Sequence, residues 1–253
     1  ISGISSFVID TKSPTITRVS STAADGAYGT GSVIPIAVTF SEAITLSANA
    51  SLVLETGAID RTADCPTVIA LTTVTCNYTV IVGDAATRLN YVSTNSLTTG
   101  GTVRDAAGNP AILTLPALTA LSSLAGTKSF VIDTVSPIVS SVSSPNGIFH
   151  VGDTIPISVI FTEPVSVLSG TPTLQLTLDS GIQKFATYTV GSSSSALTFN
   201  YVVQNGDFTG RLQYASTSAL ALNGASIRDL AGNTASTALP ALSSTSSLHT
   251  IRY

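Results

Sequence analysis

The chain has 253 residues, and its small hydroxyl side chains (36 Ser and 37 Thr) far outnumber its 10 basic and 14 acidic ones. A net charge of −4 with so few Lys and Arg excludes a phosphate-neutralising surface, so nucleic acid is not a predicted partner. The hydrophobic content of 43% predicts a packed core, and no apolar run reaches the roughly 18 residues of a transmembrane helix.

Side chains that carry catalysis are scarce. The 2 His residues occupy unrelated places in the chain, and the sequence has no nucleophile elbow, phosphate-binding loop or dinucleotide fingerprint. We therefore predict that the protein is not an enzyme. The chain contains no Met and no signal-peptide pattern, which predicts a mature or excised part of a longer gene product.

Internal repetition predicts two domains. Blocks of sequence return in the same order at spacings between 121 and 124 residues. They are residues 7–14 with 130–137, 34–42 with 155–163, 88–94 with 211–217, 104–109 with 228–233, and 115–118 with 239–242. The duplication predicts one domain over residues 1–132 and a second over 133–253, each near the usual size of an independent domain.

Within each copy the hydrophobic period is two, as in a half-buried strand. Ile34, Ile36, Val38 and Phe40 alternate with small or polar residues, and residues 197–203 do the same in the second copy. Asp-Gly and Asn-Gly pairs bound the apolar runs, and only residues 115–125 have helical spacing, enough for a turn or two. The prediction is an all-β protein of two tandem antiparallel β-sandwiches, in which Thr supplies a polar, β-branched outer face.

Short motifs in a fixed order resemble the bacterial immunoglobulin-like domains. They are V-T-F-S-E at 38–42, I-D-T-x-S-P at the start of both copies, and D-x-A-G-N near the end of both. The resemblance covers essentially the whole chain and implies Ig-like sandwiches in a secreted or bacterial cell-surface protein, in an oxidising environment. It implies a structural or adhesive module whose partners are neighbouring repeats, identical subunits, or a glycan or protein on a host or cell surface.

Another hypothesis, from a different class, is a carbohydrate-binding module, which needs an exposed aromatic platform. The chain has no Trp, 7 Tyr and 8 Phe. Tyr28 and Phe149 are among the few aromatic residues expected in loops. The sequence therefore favours the structural module.

Both cysteines lie in the first copy. Cys76 alternates with Val74 and Tyr78 and so points inward, whereas Cys65 lies in a loop-rich stretch at residues 60–66. In a secreted chain the pair predicts a disulfide across adjacent strands or a hairpin, which stabilises by roughly 3 kcal/mol when it closes so short a loop. Two buried free thiols and a two-ligand metal site are the alternatives.

Acidic residues at matching places in the two copies form a candidate Ca²⁺ site, because Ca²⁺ prefers oxygen ligands. We expect Asp133 to approach Asp105 and Asn109 of the preceding domain, with Glu163 added from the following one. The full candidate set is Asp10, Glu42, Asp105, Asn109, Asp133, Glu163, Asp229 and Asn233. The alternatives are Asx turns, ion pairs with the recurring arginines at 88, 104, 211 and 228, and a glycosidase-like carboxylate pair.

The first ten residues match the segment that joins the two copies. Residues 1–10 correspond to 125–133, and the apolar positions that would form a polymerisation strand are Ile4, Phe7, Val8 and Ile9. Donation of this strand to a neighbouring subunit would build an open head-to-tail filament. The other interpretation is an array that has been cut at its repeat boundaries.

Overall fold

The computed structural model describes residues 9–179 and 181–243 and divides the chain into two units, Ile1–Thr134 and Val135–Tyr253. In the described residues nearly all regular structure is β-strand, and the strands pair antiparallel except at one short contact in the first unit. The predicted all-β fold with two β-sandwich domains is confirmed.

The first unit contains one curled sheet and one small sheet. The strand order in the large sheet is β1-β3-β6-β5-β4-β8, with β10 paired to β3 and β9 paired to β4, and the small sheet has the order β2-β11-β7. The elements are β1 (Ile16–Ser21), β2 (Gly26–Tyr28), β3 (Val33–Leu46), β4 (Ala50–Glu55), β5 (Arg61–Cys65), β6 (Val68–Thr79), β7 (Ala85–Ala86), β8 (Asn90–Tyr91), β9 (Leu97–Thr99), β10 (Val103–Arg104), α1 (Leu124–Thr127) and β11 (Phe130–Asp133).

The long strand β3 runs along the core of the first unit. Its alternating apolar residues are buried from Ile34 to Phe40, as the period of two predicts. Opposite them, β6 contributes inward-facing Val74 and Cys76. The register between β3 and β6 then shifts between Thr39 and Ile44, which is a β-bulge that re-aims the side chains around Glu42.

The segment predicted to have helical spacing forms a single turn. Helix α1 begins after Ser123, whose side chain caps it by accepting a hydrogen bond from Gly126 N–H at 3.0 Å. Leu124 is fully buried and anchors this turn on the core. The turn leads directly into β11, the last strand of the unit.

The second unit repeats the large sheet with the order β12-β13-β16-β15-β14-β17, to which β18 adds by pairing with β14 and β19 by pairing with β13. Phe199 is fully buried opposite Ile157, the place that Cys76 occupies opposite Ile36 in the first unit. The strands are β12 (Val139–Ser143), β13 (Thr154–Leu168), β14 (Thr173–Thr177), β15 (Gln183–Val190), β16 (Ser194–Val202), β17 (Gln213–Tyr214), β18 (Leu220–Ala221) and β19 (Ser226–Arg228).

Candidate cation site and the internal polar contacts

A tight turn after β10 holds Asp105. The Asp105 carboxylate accepts hydrogen bonds from Asn109 through its backbone N–H (2.8 Å to Oδ1) and its amide Nδ2 (2.7 Å to Oδ2). Gly108 completes the turn at a φ of 93°, a conformation that favours glycine. Residues Asp229 and Asn233 repeat both bonds in the second unit, each at 2.8 Å. The D-x-A-G-N motif is therefore a self-bonded turn in both copies.

The hydrogen bonds of this turn set the ionisation of Asp105. Desolvation raises its pKa, but hydrogen bonds from Asn109, Gly108 and Ala107 outweigh that effect and leave the pKa below its usual value. Asp105 is therefore a carboxylate at neutral pH, although little of its surface reaches solvent.

Two further carboxylates approach Asp105. Oxygen atoms of Asp10, Glu42 and Asp105 all lie within 4.8 Å of one another. Asp10 is held by its neighbours: its backbone carbonyl accepts from Asn109 Nδ2 at 3.2 Å, and its Oδ1 accepts from Lys12 N–H at 3.0 Å. Glu42 reaches the group from the β-bulge of β3. Three carboxylates at such distances repel one another, and a hard cation would relieve the repulsion.

The carboxylate that joins Glu42 and Asp105 is Asp10, a member of the predicted candidate set. Asp133 ends strand β11. Asp10 lies beside the Asp105 turn, where its backbone carbonyl accepts the hydrogen bond from Asn109 Nδ2. In the second unit Glu163 and Asp229 also approach each other within 4.8 Å. The repeat thus places the same acidic pair at a β-bulge and a turn in both units.

The asparagines of the candidate set, and two of the recurring arginines named in the alternative, hold the turns in place. Asn109 and Asn233 direct Nδ2 at the aspartate of their own turn, so in this arrangement they orient the carboxylate. Arg104 donates to the Gly108 carbonyl at 2.6 Å, and Arg228 donates to the Gly232 carbonyl at 3.0 Å. These arginines bind the backbone of the turn, which is a different role from the predicted ion pair.

A second polar group lies inside the first unit around Asp84. Its Oδ1 accepts from Arg61 Nε at 2.7 Å, and its Oδ2 accepts from the Tyr78 hydroxyl at 2.8 Å and from Ile81 N–H at 3.0 Å. Burial raises the pKa of Asp84, but the bonds from Ile81, Arg61 and Tyr78 together with the charge of Arg61 lower it further than burial raises it. Burial and the bond to Asp84 raise the pKa of Tyr78.

Asp207 repeats this arrangement in the second unit with a different cation. Lys184 Nζ lies 3.0 Å from Oδ1, Gln204 N–H donates to Oδ2 at 2.7 Å, and the Tyr201 hydroxyl also donates to Oδ2. The sequence feature that could have revealed both polar groups is a Tyr six residues before each aspartate: Tyr78 before Asp84, and Tyr201 before Asp207. Arg61 and Lys184 occupy matching positions, because they pair with the equivalent residues Leu54 and Leu176. The cations were not found from sequence because they are different residue types in stretches that have no close sequence similarity.

A third repeated contact fixes the loop before the end of each unit. The Tyr91 hydroxyl donates to the Pro116 carbonyl, and the Tyr214 hydroxyl donates to the Pro240 carbonyl at 2.5 Å. Burial raises the pKa of Tyr91 to about 12. Both tyrosines therefore remain protonated donors at neutral pH.

The predicted Cys65–Cys76 disulfide is present and joins strands β5 and β6. Asp64 pairs with Asn77 in this antiparallel pair, so the two cysteines face each other one step further on. The stretch around Cys65, expected to be loop, forms strand β5 because Ala63 and Cys65 are buried against the core and the strand pairs with β4.

Tyr28 and Phe149, the two aromatic residues expected in loops, pack on the cores, and Tyr28 ends strand β2. Tyr28 packs edge-on against Phe130 with ring centroids 5.4 Å apart, and both Tyr28 and Phe149 contact the core of their own unit. Among the predicted polymerisation residues, Ile4, Phe7 and Val8 lie outside the described residues. Ile9 is described, and its side chain is exposed.

No protein-family model and no curated protein matches the chain. Among solved structures it is similar to one described as a crystal structure of a tetra-tandem repeat in the extending region of a large adhesion protein, with 16% sequence identity and a TM-score of 0.29. The match covers 88% of this chain and 47% of that one, so the chain spans about half its length. In the part of the chain that the structure describes, no helix is long and apolar enough to cross a membrane.

Proposed function

We propose that the protein is a non-catalytic structural and adhesive module of a secreted bacterial surface or fibre protein, built from immunoglobulin-like repeats. The observation that carries the proposal is the repetition of the internal contacts. The Asp–Asn turn, the buried Tyr–Asp–cation group and the Tyr–Pro contact occupy equivalent places in both units. The recurring polar residues stabilise the fold in both copies, so we assign them a structural role in a scaffold protein.

The disulfide supports an oxidising location outside the cytoplasm. We expect the partners of such a module to be neighbouring repeats and a glycan or protein on a host or cell surface. Antibodies against the purified chain should label intact cells of the source organism, and external protease should remove the label. Labelling that requires permeabilised cells would contradict the proposal.

We also propose Ca²⁺ as the ligand of the Asp10, Glu42 and Asp105 group and of its counterpart around Glu163 and Asp229. The close approach of the carboxylates in both units supports this assignment. The lowered pKa of Asp105 supports it too, because the ligand must be ionised at neutral pH. Bound Ca²⁺ would tie the segment at Asp10 to the bulge of β3.

Thermal melting with Ca²⁺ and then with excess chelator tests the ligand. The melting temperature should rise with Ca²⁺ concentration, since a ligand that binds only the folded state stabilises it. Glu42→Gln combined with Glu163→Gln should abolish the rise. The matched control is Asp60→Asn, which removes a charge at an exposed position outside the group. A Ca²⁺ response that persists in the double variant would refute the assignment.

A further inference from the structure

An early and a late segment of the first unit lie side by side and run in the same direction. Strand β11 pairs in parallel with β2, which matches Phe130 with Gly26 and Ile132 with Tyr28. Because β11 is the last strand of its unit, a force that arrives from the residues after it enters the unit through this strand. The direction of the pairing therefore decides how the unit responds to tension.

Hydrogen bonds extend this parallel contact beyond the two strands. Each bond joins a residue in 19–26 to a residue in 122–129, and the positions on the two segments advance together along the chain. The bonds are Val19 N–H to the Ser122 carbonyl (2.8 Å), the Thr127 hydroxyl to the Val19 carbonyl (2.9 Å), Lys128 Nζ to the Ala23 carbonyl (2.6 Å), Ser129 N–H to Asp25 Oδ1 (2.9 Å) and Gly26 N–H to the Ser129 carbonyl (3.2 Å). We call residues 19–28 and 122–133 together the parallel clamp.

Strand β11 is also held on its other side and by the core. It pairs antiparallel with β7, and the Thr134 hydroxyl donates to the Asp84 carbonyl at 2.9 Å. Phe130 and Ile132 are buried, while Val131 faces outward. A slip of one residue would exchange the two faces of the strand and bring both buried side chains out of the core. Core packing therefore opposes the same displacement that the hydrogen bonds oppose.

We propose that the first unit bears tension along the chain and that the parallel clamp is its load-bearing contact. Tension pulls residues 19–28 toward the start of the chain and residues 122–133 toward its end. Because the two segments are parallel, these forces slide one segment along the other, and the bonds between them are loaded together. In a contact that is pulled open from one end, by contrast, each bond carries the load alone and the bonds break in turn.

Load bearing deepens the proposed structural and adhesive function and rests on it, because a module held between a cell and an adhesion partner is under tension. The two proposals can still fail separately. Labelling of intact cells tests where the protein is, whereas the following experiments measure the mechanical response of the purified chain.

Two pulling directions through the same unit test the proposal by single-molecule force spectroscopy. Handles on Lys12→Cys and Ser136→Cys load the clamp along its length, whereas handles on Thr30→Cys and Ser136→Cys pull β2 and β11 apart from their neighbouring ends. All three positions are exposed. Forced unfolding is governed by the barrier to unfolding, so the rupture force at equal pulling speed should be higher by about twofold or more in the lengthwise direction. Equal rupture forces in the two directions would overturn the proposal.

The native disulfide identifies the unfolding of the first unit in each trace. Cys65 and Cys76 are 11 positions apart, and the bond keeps the residues between them from extending. Reduction should therefore lengthen the unfolding step by at most about 36–40 Å. Only the events that show this lengthening are compared between the two directions.

The side-chain bonds of the clamp give a second test. Asp25→Ala with Thr127→Val removes two of them and should lower the rupture force in the lengthwise direction. The matched control is Asp60→Ala with Thr99→Val, which removes an exposed aspartate and a hydroxyl that donates to a backbone carbonyl at 3.1 Å outside the clamp. The control should leave that force unchanged, whatever it does to the midpoint of urea unfolding. Rupture forces that fall equally in both variants would refute the clamp as the load-bearing contact.

Discussion

Asp84 and Asp105 are both aspartates with a lowered pKa, but their surroundings give them different roles. Asp84 is fully buried, and both of its oxygens accept hydrogen bonds from its own unit. Asp105 lies at the edge of the core with two more carboxylates within 4.8 Å. The Asp84 carboxylate therefore stabilises the interior of the first unit. The carboxylates around Asp105 instead offer oxygen ligands to an added cation.

Asp84→Asn should lower the free energy of unfolding of the first unit by about 3 kcal/mol at pH 7, because it breaks a buried, hydrogen-bonded ion pair. The folded pKa of Asp84 is lowered, so its contribution is complete above the unfolded pKa and is lost as the pH falls through the folded pKa. The variant should therefore lose less stability than wild type on acidification.

Urea unfolding at neutral and at acidic pH measures both effects, with exposed Asp60→Asn as the control. An equal deficit of Asp84→Asn at both pH values would show that the carboxylate charge contributes nothing.

The long strands were predictable, and the short ones were not. Apolar and polar residues alternate along β3 and β16 because every second side chain is buried. A period of two in the sequence therefore predicts these strands directly. Strand β5 was missed because Arg61–Cys65 becomes a strand only through its pairing with β4. Two-residue strands such as β7 carry no periodicity at all. The sequence marks Asp10, Glu42 and Asp105 as candidates, but their approach to within 4.8 Å of one another depends on the path of the chain, which no local pattern encodes.

The disulfide between β5 and β6 should stabilise the first unit alone, since both cysteines of the chain lie there. Its 11-residue separation corresponds to about 3 kcal/mol in the chain-entropy model. Hydrogen-exchange mass spectrometry of the oxidised chain and of the Cys65→Ala, Cys76→Ala variant resolves the two units. Exchange should accelerate in residues 15–134 and stay constant in residues 139–243. A matching acceleration in the second unit would contradict this expectation.

At the scale of the whole molecule, each unit has its own core and its own set of repeated contacts. The first core includes Phe130 and Ile132, which come from the sequence block that opens the second repeat. The first unit, which ends at Thr134, therefore includes the strand-forming part of the block at residues 130–137.

Phe130→Ala should destabilise the first unit by about 3–5 kcal/mol, the usual cost of removing a buried aromatic side chain. Calorimetry should show this as a lower melting temperature for one transition, with the other unchanged. Val131→Ala, on the outward side of the same strand, is the matched control and should shift neither transition appreciably. A shift of both transitions in Phe130→Ala would show that the units unfold as one.

The repeated pentapeptide also bears on how such a chain could be shortened or extended. Residues 6–10 and 129–133 are identical and 123 residues apart. A chain from which the residues between these two pentapeptides were removed, or in which they were repeated, would keep one intact pentapeptide at the joint. Because β11 completes the unit that precedes it, the joint would still supply the Phe and Ile that Phe130 and Ile132 supply to the first core.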